Sequence, residues 1–314
     1  MIEHSQTNSA MGPGAEFDSI RAMLAEWGEF AEGIGDDAAV LSVPAGMQLL
    51  VSTDAAVEDV HFRRKWISAR DAGARAATAA FSDLAAMGAT ANAILVSLVV
   101  PTIWREHIRE FATGIKATVA SVNARIVGGN ISRGASFSCT LTVIGYSAKP
   151  VRRSGAQIGD ALYVTGKLGG PAAAVAAWER SEQPADWARQ RFLAPVARVR
   201  EGQWLAAHGA HAMIDISDGL AADARHLSAA SAVQCVVGPE LVPRFESVSV
   251  QDALAAGEEY ELLVALPANR GEEIATDFRR QFEIEFTLVG MVEAVQESAA
   301  RVELPVGHDH FSTQ

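Results

Sequence analysis

The sequence has only two cysteines, Cys139 and Cys235, and they lie far apart in the chain. That excludes a disulfide framework and a cysteine-rich zinc site, and it fits a reducing, cytoplasmic compartment. Long apolar runs are missing too: none reaches the ~18 residues that a membrane-spanning helix requires. Residues Met1 to Gly14 are polar and lack the apolar stretch of a secretory signal. Positive charge is scarce, with 26 Lys and Arg against 38 Asp and Glu and a net charge of −12. Nucleic-acid backbones and anionic membrane surfaces both demand a basic footprint, so neither is an expected partner. A protein this acidic is expected to bind a nucleotide through metal ions.

What is present is an ordinary globular composition over 314 residues, 49% of them hydrophobic, enough for two domains. The stretch around which the chain is organised is Gly33-Ile34-Gly35-Asp36-Asp37, followed by Ser52-Thr53-Asp54. Three acids and two hydroxyls this close are candidate oxygen ligands for a hard cation. Two carboxylates ~4 Å apart repel by about 4 kcal/mol at an effective dielectric of ~20, a cost that a divalent cation such as Mg²⁺ removes. The plain alternative is a polar loop with solvated acids. Met47 to Thr53 reads as a buried strand that delivers Asp54 to its C-terminal end.

Asp18 to Trp27 reads as a short helix, and Ser68 to Met87 as an Ala-rich helix with capping-box spacing at Ser68 and Asp71. Asp83 in that helix has almost only apolar or small neighbours, which suggests a buried carboxylate in need of a partner. A strand is expected over 93–100, and Trp104, Ile108, Phe111, Ile115, Val119 and Val122 follow at helical spacing as a core stripe. Arg125 to Val127 reads as a short strand ending in Gly128-Gly129-Asn130, either a tight turn or a close backbone approach to a phosphate. Another strand is expected over 138–146.

The character shifts near residue 149, around the basic spot Arg152-Arg153. Beyond it, strands are expected over 161–165, 212–216, 234–237, 261–266 and 287–292, with a helix from Pro195 to about His208. Gly166-Lys167-Leu168-Gly169-Gly170 lacks the ending of a Walker A loop. Asp215-Ile216-Ser217-Asp218-Gly219-Leu220 stands where a helix begins. Helix capping accounts for one of its three polar residues and leaves two unexplained. Gly257-Glu258-Glu259-Tyr260-Glu261 is an acidic turn before a strand, and the last residues include Gly307-His308-Asp309-His310-Phe311.

Taken together and in order, these motifs resemble bacterial thiamine-monophosphate kinases, in the superfamily of aminoimidazole ribonucleotide synthase. The matching residues are Gly35-Asp36-Asp37, Ser52-Thr53-Asp54, His61-Phe62, Ser82 to Gly88, Gly128-Gly129, Arg153-Ser154-Gly155, Asp215 to Leu220, Gly257-Glu258 and Asp309-His310-Phe311. The resemblance implies an α/β (α+β), two-domain fold: an N-terminal dimerising β-sheet or barrel domain and a C-terminal α/β sandwich domain. The boundaries expected are a disordered terminus over 1–15, an ATP- and magnesium-binding domain over 16–148, and a second domain over 149–314. It also implies a Mg²⁺-dependent phosphotransferase that converts ATP and thiamine monophosphate to ADP and thiamine diphosphate, working as a homodimer.

Residue by residue, the resemblance makes Asp36, Ser52, Thr53, Asp54, Asp83, Asp215 and Asp218 magnesium ligands, with Asn130 at a further ligand position. Gly129, Asn130, Arg153 and Ser217 become nucleotide contacts, and His61, Glu258 and His308 substrate contacts. Four positions depart from the family pattern: Asn130 where an Asp is usual, Ala80 for a polar residue, Glu259 for Asp, and His308 for an aromatic. Phosphoryl transfer depends on positioning and charge neutralisation more than on covalent chemistry, and the phosphate of the acceptor supplies its own nucleophile. No Ser, Cys or His nucleophile is then needed. The alternatives are aminoimidazole ribonucleotide synthase activity and a non-catalytic nucleotide-binding homologue.

Overall fold

The computed structural model describes residues 14–35 and 37–295. Asp36, His308 and most of the terminus expected to be disordered therefore lie outside the described residues. The chain divides into two compact units, one of Met1–Leu84 with Thr90–Ala148 and the other of Ala85–Ala89 with Lys149–Gln314.

The first unit is built on a four-stranded sheet of β1 (Gln48–Val57), β2 (Thr90–Val100), β3 (Arg125–Arg133) and β4 (Ser138–Ser147), in the order β1-β4-β2-β3. β4 runs antiparallel to β1 and β2, while β2 and β3 are parallel. The helices are α1 (Ala15–Trp27), α2 (Ala69–Ala86) and α3 (Ile108–Ser121). α2 begins at the expected capping box: the Asp71 N–H donates to Ser68 Oγ at 3.1 Å and the Ser68 hydroxyl donates to the Asp71 carboxylate at 2.7 Å. Trp104, Ile108, Phe111, Ile115 and Val119 form the buried stripe that their spacing predicts. Trp104 stacks on Phe137 at 3.9 Å, and its indole N–H donates to Glu58 at 2.7 Å.

Two strands differ from expectation. β1 is an edge strand, not a buried one, and Leu49 and Val51 are 53% and 59% exposed on one of its faces. It runs past Asp54 to Val57, so Asp54 sits within the ladder, opposite Leu141, and not at the strand end. β3 runs nine residues, and Gly128-Gly129-Asn130 is strand instead of turn. The parallel neighbour explains the glycine: a Cβ on Gly129 would stand 1.9 Å from the Val96 carbonyl oxygen. Close approach of β2, in addition to any ligand, requires a residue without a side chain there.

The second unit holds a five-stranded sheet of β5 (Ala161–Thr165), β6 (Ala212–Asp215), β7 (Gln234–Val237), β8 (Leu262–Leu266) and β9 (Phe286–Glu293), in the order β6-β8-β5-β9-β7. Its ladders are antiparallel. Among the described residues its helices are α4 (Gly170–Glu179), α5 (Asp186–Leu193), α6 (Val199–Ala207), α7 (Leu220–Ser231), α8 (Val250–Ala255) and α9 (Ala268–Phe282). The core gathers Leu162, Val164, Ile214, Leu220, Leu227, Leu263 and Val289. The expected elements leave out α5, α8 and α9; α5 hides only Ala188 and Phe192 and α8 only Ala253 and Leu254, whereas α9 buries Gly271, Ile274, Ala275 and Phe278 at regular helical spacing. The helix expected from Pro195 starts at Val199, because residues 194–198 connect α5 to α6 and place Arg198 in a buried ion network.

Gly129→Ala should destabilise the first unit without any ligand present, by about 1–3 kcal/mol, the usual cost of forcing an atom into packed backbone. The measurement is a urea unfolding midpoint for both proteins. An unchanged midpoint would mean the glycine answers only to a ligand.

Candidate active site

In the first unit the side chains alternate along β1, so Ser52 and Asp54 share the inner face with Leu50 while Thr53 points the other way. Ser52 donates to the Asp83 carboxylate at 2.5 Å, which joins β1 to α2 across 31 residues of sequence. Asp83 is half-buried, less hidden than its neighbours suggest, and Ser52 is its partner. Thr53 instead bonds Thr142 of β4 at 3.1 Å, so its hydroxyl is not brought to the Ser52–Asp54 face. The register aligns Asp54, Leu141, Val96 and Gly129 in one row across the sheet. Three strand spacings put Asp54 and Gly129 roughly 14 Å apart. Asn130 follows on the opposite edge strand, exposed, and donates to Ser132 at 3.2 Å. Within this sheet Asp54 and Asn130 are too far apart to ligate a single ion. His61 is half-buried, and its Nδ1 accepts the Val57 N–H at 3.1 Å.

The second unit concentrates charge on one turn. β6 ends at Asp215, 3% exposed, and α7 starts at Leu220. Gly219 is the N-cap residue with φ 108°, and a Cβ there would meet the Ala255 carbonyl oxygen at 2.7 Å. No side chain caps α7, so the capping alternative for Asp218 does not hold. Asp223, in the first turn of α7 and 1% exposed, reaches back instead. Its Oδ2 accepts the Ser217 and Asp218 N–H groups at 3.1 Å each. Ligand atoms of Asp218, Asp223 and His226 lie within 4.8 Å of one another. Burial, with Asp215 and Asp218 nearby, pushes the Asp223 carboxyl up to about 8, and Arg153 offsets part of that. Arg153 lies in a short helical turn, Arg153–Gly155, and is exposed.

This turn is laced to the acidic turn that precedes β8. The Glu258 N–H donates to the Ser217 carbonyl at 2.7 Å, Tyr260 N–H to Ile216 at 2.9 Å, and Ile216 N–H to Glu261 at 2.8 Å. Glu258 and Tyr260 both hold positive φ, 58° and 54°. Such non-glycine conformations persist only where surroundings over-determine them. Buried Glu259 and Glu261 provide that constraint. Glu261 accepts from Arg198 at 2.7 Å, from Arg191 at 2.8 Å and from Thr165 at 2.6 Å. Burial pushes the Glu261 carboxyl up, but the Arg198 and Arg191 guanidiniums outweigh it and hold it below the usual range. Glu259 accepts the Gly169 N–H and sits 3.6 Å from Arg191; burial prevails there and pushes its carboxyl up to about 8.

The structure thus brings Ser52, Asp54 and Asp83 together on one unit, and Arg153, Asp215, Ser217, Asp218 and Glu258 on the other. Sequence reasoning missed Asp223 and the Glu259–Glu261–Arg191–Arg198 network. The signal for Asp223 was available: a lone Asp among Leu220, Ala221, Ala222 and Ala224, the same pattern that marks Asp83. Arg191 lies on α5, which was not legible, and Arg198 lies in the connection before α6.

Two units, each a sheet with helices and each with its own oxygen-donor set, define the class of AIR synthase related proteins. Family models described as AIR synthase related protein, N-terminal domain and C-terminal domain match residues 35–147 and 157–303. A thiamine-monophosphate kinase of Salmonella typhimurium is 33% identical, covering 95% of this chain and 96% of its own. The crystal structure of thiamine-monophosphate kinase from Stenotrophomonas maltophilia K279a superposes with a TM-score of 0.79 at 32% identity, over 89% of this chain and 93% of the other. AaThiL, solved with AMPPCP and TMP, gives a TM-score of 0.76 at 29% identity over 94% and 96%. The chain belongs to the thiamine-monophosphate kinase family.

Glu259 yields a pH prediction. A carboxyl raised from 4.5 to about 8 holds its proton in the folded state where the unfolded chain has lost it. Its contribution to stability therefore falls as pH rises through that window. Glu259→Gln keeps the acceptor for Gly169 and removes the titration, so its thermal midpoint should decline less between pH 5 and 8 than that of the wild type. Parallel curves would contradict the assignment.

Proposed function

We propose that this protein is a thiamine-phosphate kinase, transferring the γ-phosphoryl group of ATP to thiamine monophosphate and so forming ADP and thiamine diphosphate. What carries the reading is the likeness, over 95% of this chain, to a thiamine-monophosphate kinase. An ionised phosphate oxygen of thiamine monophosphate forms the new P–O bond to the γ-phosphorus. The bond between that phosphorus and the bridging oxygen breaks, and ADP leaves with the electron pair.

The donor chemistry fits magnesium: carboxylates and a hydroxyl, all hard oxygens, with one of the acids, Asp215, buried. Asp54 and Asp83, with Ser52, are the ligands proposed on the first unit, and Asp215 and Asp218 those on the second. Asp36 is proposed with them from the resemblance. Magnesium, when bound, neutralises phosphate charge and orients the oxygens. The remaining work falls to the chain. Gly129, Asn130, Arg153 and Ser217 are assigned to the nucleotide, and His61, Glu258 and His308 to the thiamine substrate. The hydrogen bond from Glu258 to the Ser217 carbonyl supports coupling of the substrate-side and nucleotide-side turns.

The protein is further proposed to act as a two-fold homodimer in the cytoplasm. The exposed Leu49 and Val51 on an edge strand support the dimer, because an apolar edge invites pairing. The unpaired cysteines support a reducing compartment. No described helix is long and apolar enough to cross a membrane.

With ATP, thiamine monophosphate and saturating Mg²⁺, the purified protein should form ADP and thiamine diphosphate in equal amounts. Absence of product above background would favour a non-catalytic nucleotide-binding homologue. Asp54→Asn and Asp218→Asn should each lower kcat by roughly 10²-fold or more while folding normally, the scale for losing a preorganised electrostatic group. Near-normal turnover in both would sink the ligand assignment. Light scattering at micromolar concentration should give twice the chain mass, and a monomer mass would refute the dimer.

A further inference from the structure

We infer that Asp223 is a positioning residue for the metal- and nucleotide-binding turn of the second unit. The inference rests on the assignment of Ser217 and Asp218 made above. Asp223 stands on a helix, in the first turn of α7, and is 1% exposed, so its side chain is held by packing on every side. Both of its described side-chain hydrogen bonds come from main-chain N–H groups, those of Ser217 and Asp218, and both fall on the same oxygen. That fixes the peptide planes of two consecutive residues. Those peptides set the directions in which the Ser217 hydroxyl and the Asp218 carboxylate point.

The helix that follows has no side-chain cap, and Gly219, with φ 108°, lies so close to the Ala255 backbone that a Cβ there would meet its carbonyl oxygen at 2.7 Å. Main-chain bonds from Glu258 and Tyr260 fix the carbonyl side of Ile216 and Ser217. Asp223 fixes the N–H side of Ser217 and Asp218. Together they clamp the turn from both hydrogen-bonding faces. On its outer side, His226 Nε2 lies 4.0 Å from the Asp218 carboxylate.

Asp223 is buried against a turn that already carries Asp215 and Asp218, and its ligand atom lies within 4.8 Å of that of Asp218. What the geometry supplies is preorganisation of the ligand turn. A neutral acceptor of the same shape should do the same job, and this separates positioning from direct ligation. A metal ligand needs the charge; a clamp on two N–H groups needs only the acceptor.

The experiment compares wild type, Asp223→Asn and Asp223→Ala by titration with Mn²⁺ in the presence of AMPPCP, followed by steady-state kinetics and thermal midpoints. Asp223→Asn should bind Mn²⁺ within about threefold of wild type, and its metal-free midpoint should hold or rise. Asp223→Ala should weaken Mn²⁺ binding at least tenfold and lower kcat, with little change in KM for thiamine monophosphate. Wild-type binding by Asp223→Ala would overturn the inference. So would an Asp223→Asn variant as weak as Asp223→Ala, which would make Asp223 a ligand. Absence of Mn²⁺–AMPPCP binding by the wild type would overturn it too. Should Asp223→Ala not fold, hydrogen exchange at the Ser217 and Asp218 amides decides: retained protection in Asp223→Asn supports the clamp, and its loss overturns it. The binding readout does not depend on turnover, so a wild type that fails to phosphorylate thiamine monophosphate would defeat the kinase reading and leave this comparison standing.

Discussion

Three carboxylates, Asp215, Asp218 and Asp223, crowd one turn of the second unit, and much of the local structure exists to hold them there. Two are buried, and Arg153 is the nearby cation that offsets them. Such a turn needs a backbone that cannot relax away from the strain. The β6–β8 ladder, the main-chain bonds to residues 258–261 and the reach of Asp223 back to Ser217 and Asp218 give it one. The acidic side chains are thereby held in fixed directions by the backbone.

The adjoining acidic turn uses the same physics with the opposite local solution. Glu259 and Glu261 are also buried, but Arg191 and Arg198 stand against them. This paired network does not wait for a cation. Its role is to hold residues 258 to 260 in a conformation that costs of order 1–3 kcal/mol at each positive-φ residue. Glu258 is left half-buried, with its N–H committed to Ser217. One acidic turn stands against Arg191 and Arg198, and the other has Arg153 nearby and His226 4.0 Å from Asp218.

The first unit distributes its donors differently. A row of the sheet runs from Asp54 to Gly129 across four strands, and Asp83 meets Ser52 from a helix. Glycine at 129 answers first to the Val96 carbonyl, so a residue that looks like a ligand contact is also a demand of strand packing. Thr53 shows the strict period of two: one step along β1 turns its hydroxyl to the far face and to Thr142.

The sequence by itself determined the α2 capping box, the apolar stripe of α3 and the motifs whose resemblance to a family implied a two-domain α/β fold. These are local signals: periodicity, cap spacing and side-chain chemistry in a short window, which neighbours in space do not alter. Tertiary structure alone decided the length of β3, the edge position of β1, the partner of Asp83 and the presence of α5 and α8. A strand extends where a neighbouring strand offers it a ladder, and a short helix forms where a core accepts its few apolar residues. Asp223 belongs with these. Its chemistry was written in the chain, but its task came only when α7 folded back on the turn and put one carboxylate oxygen within 3.1 Å of two amides.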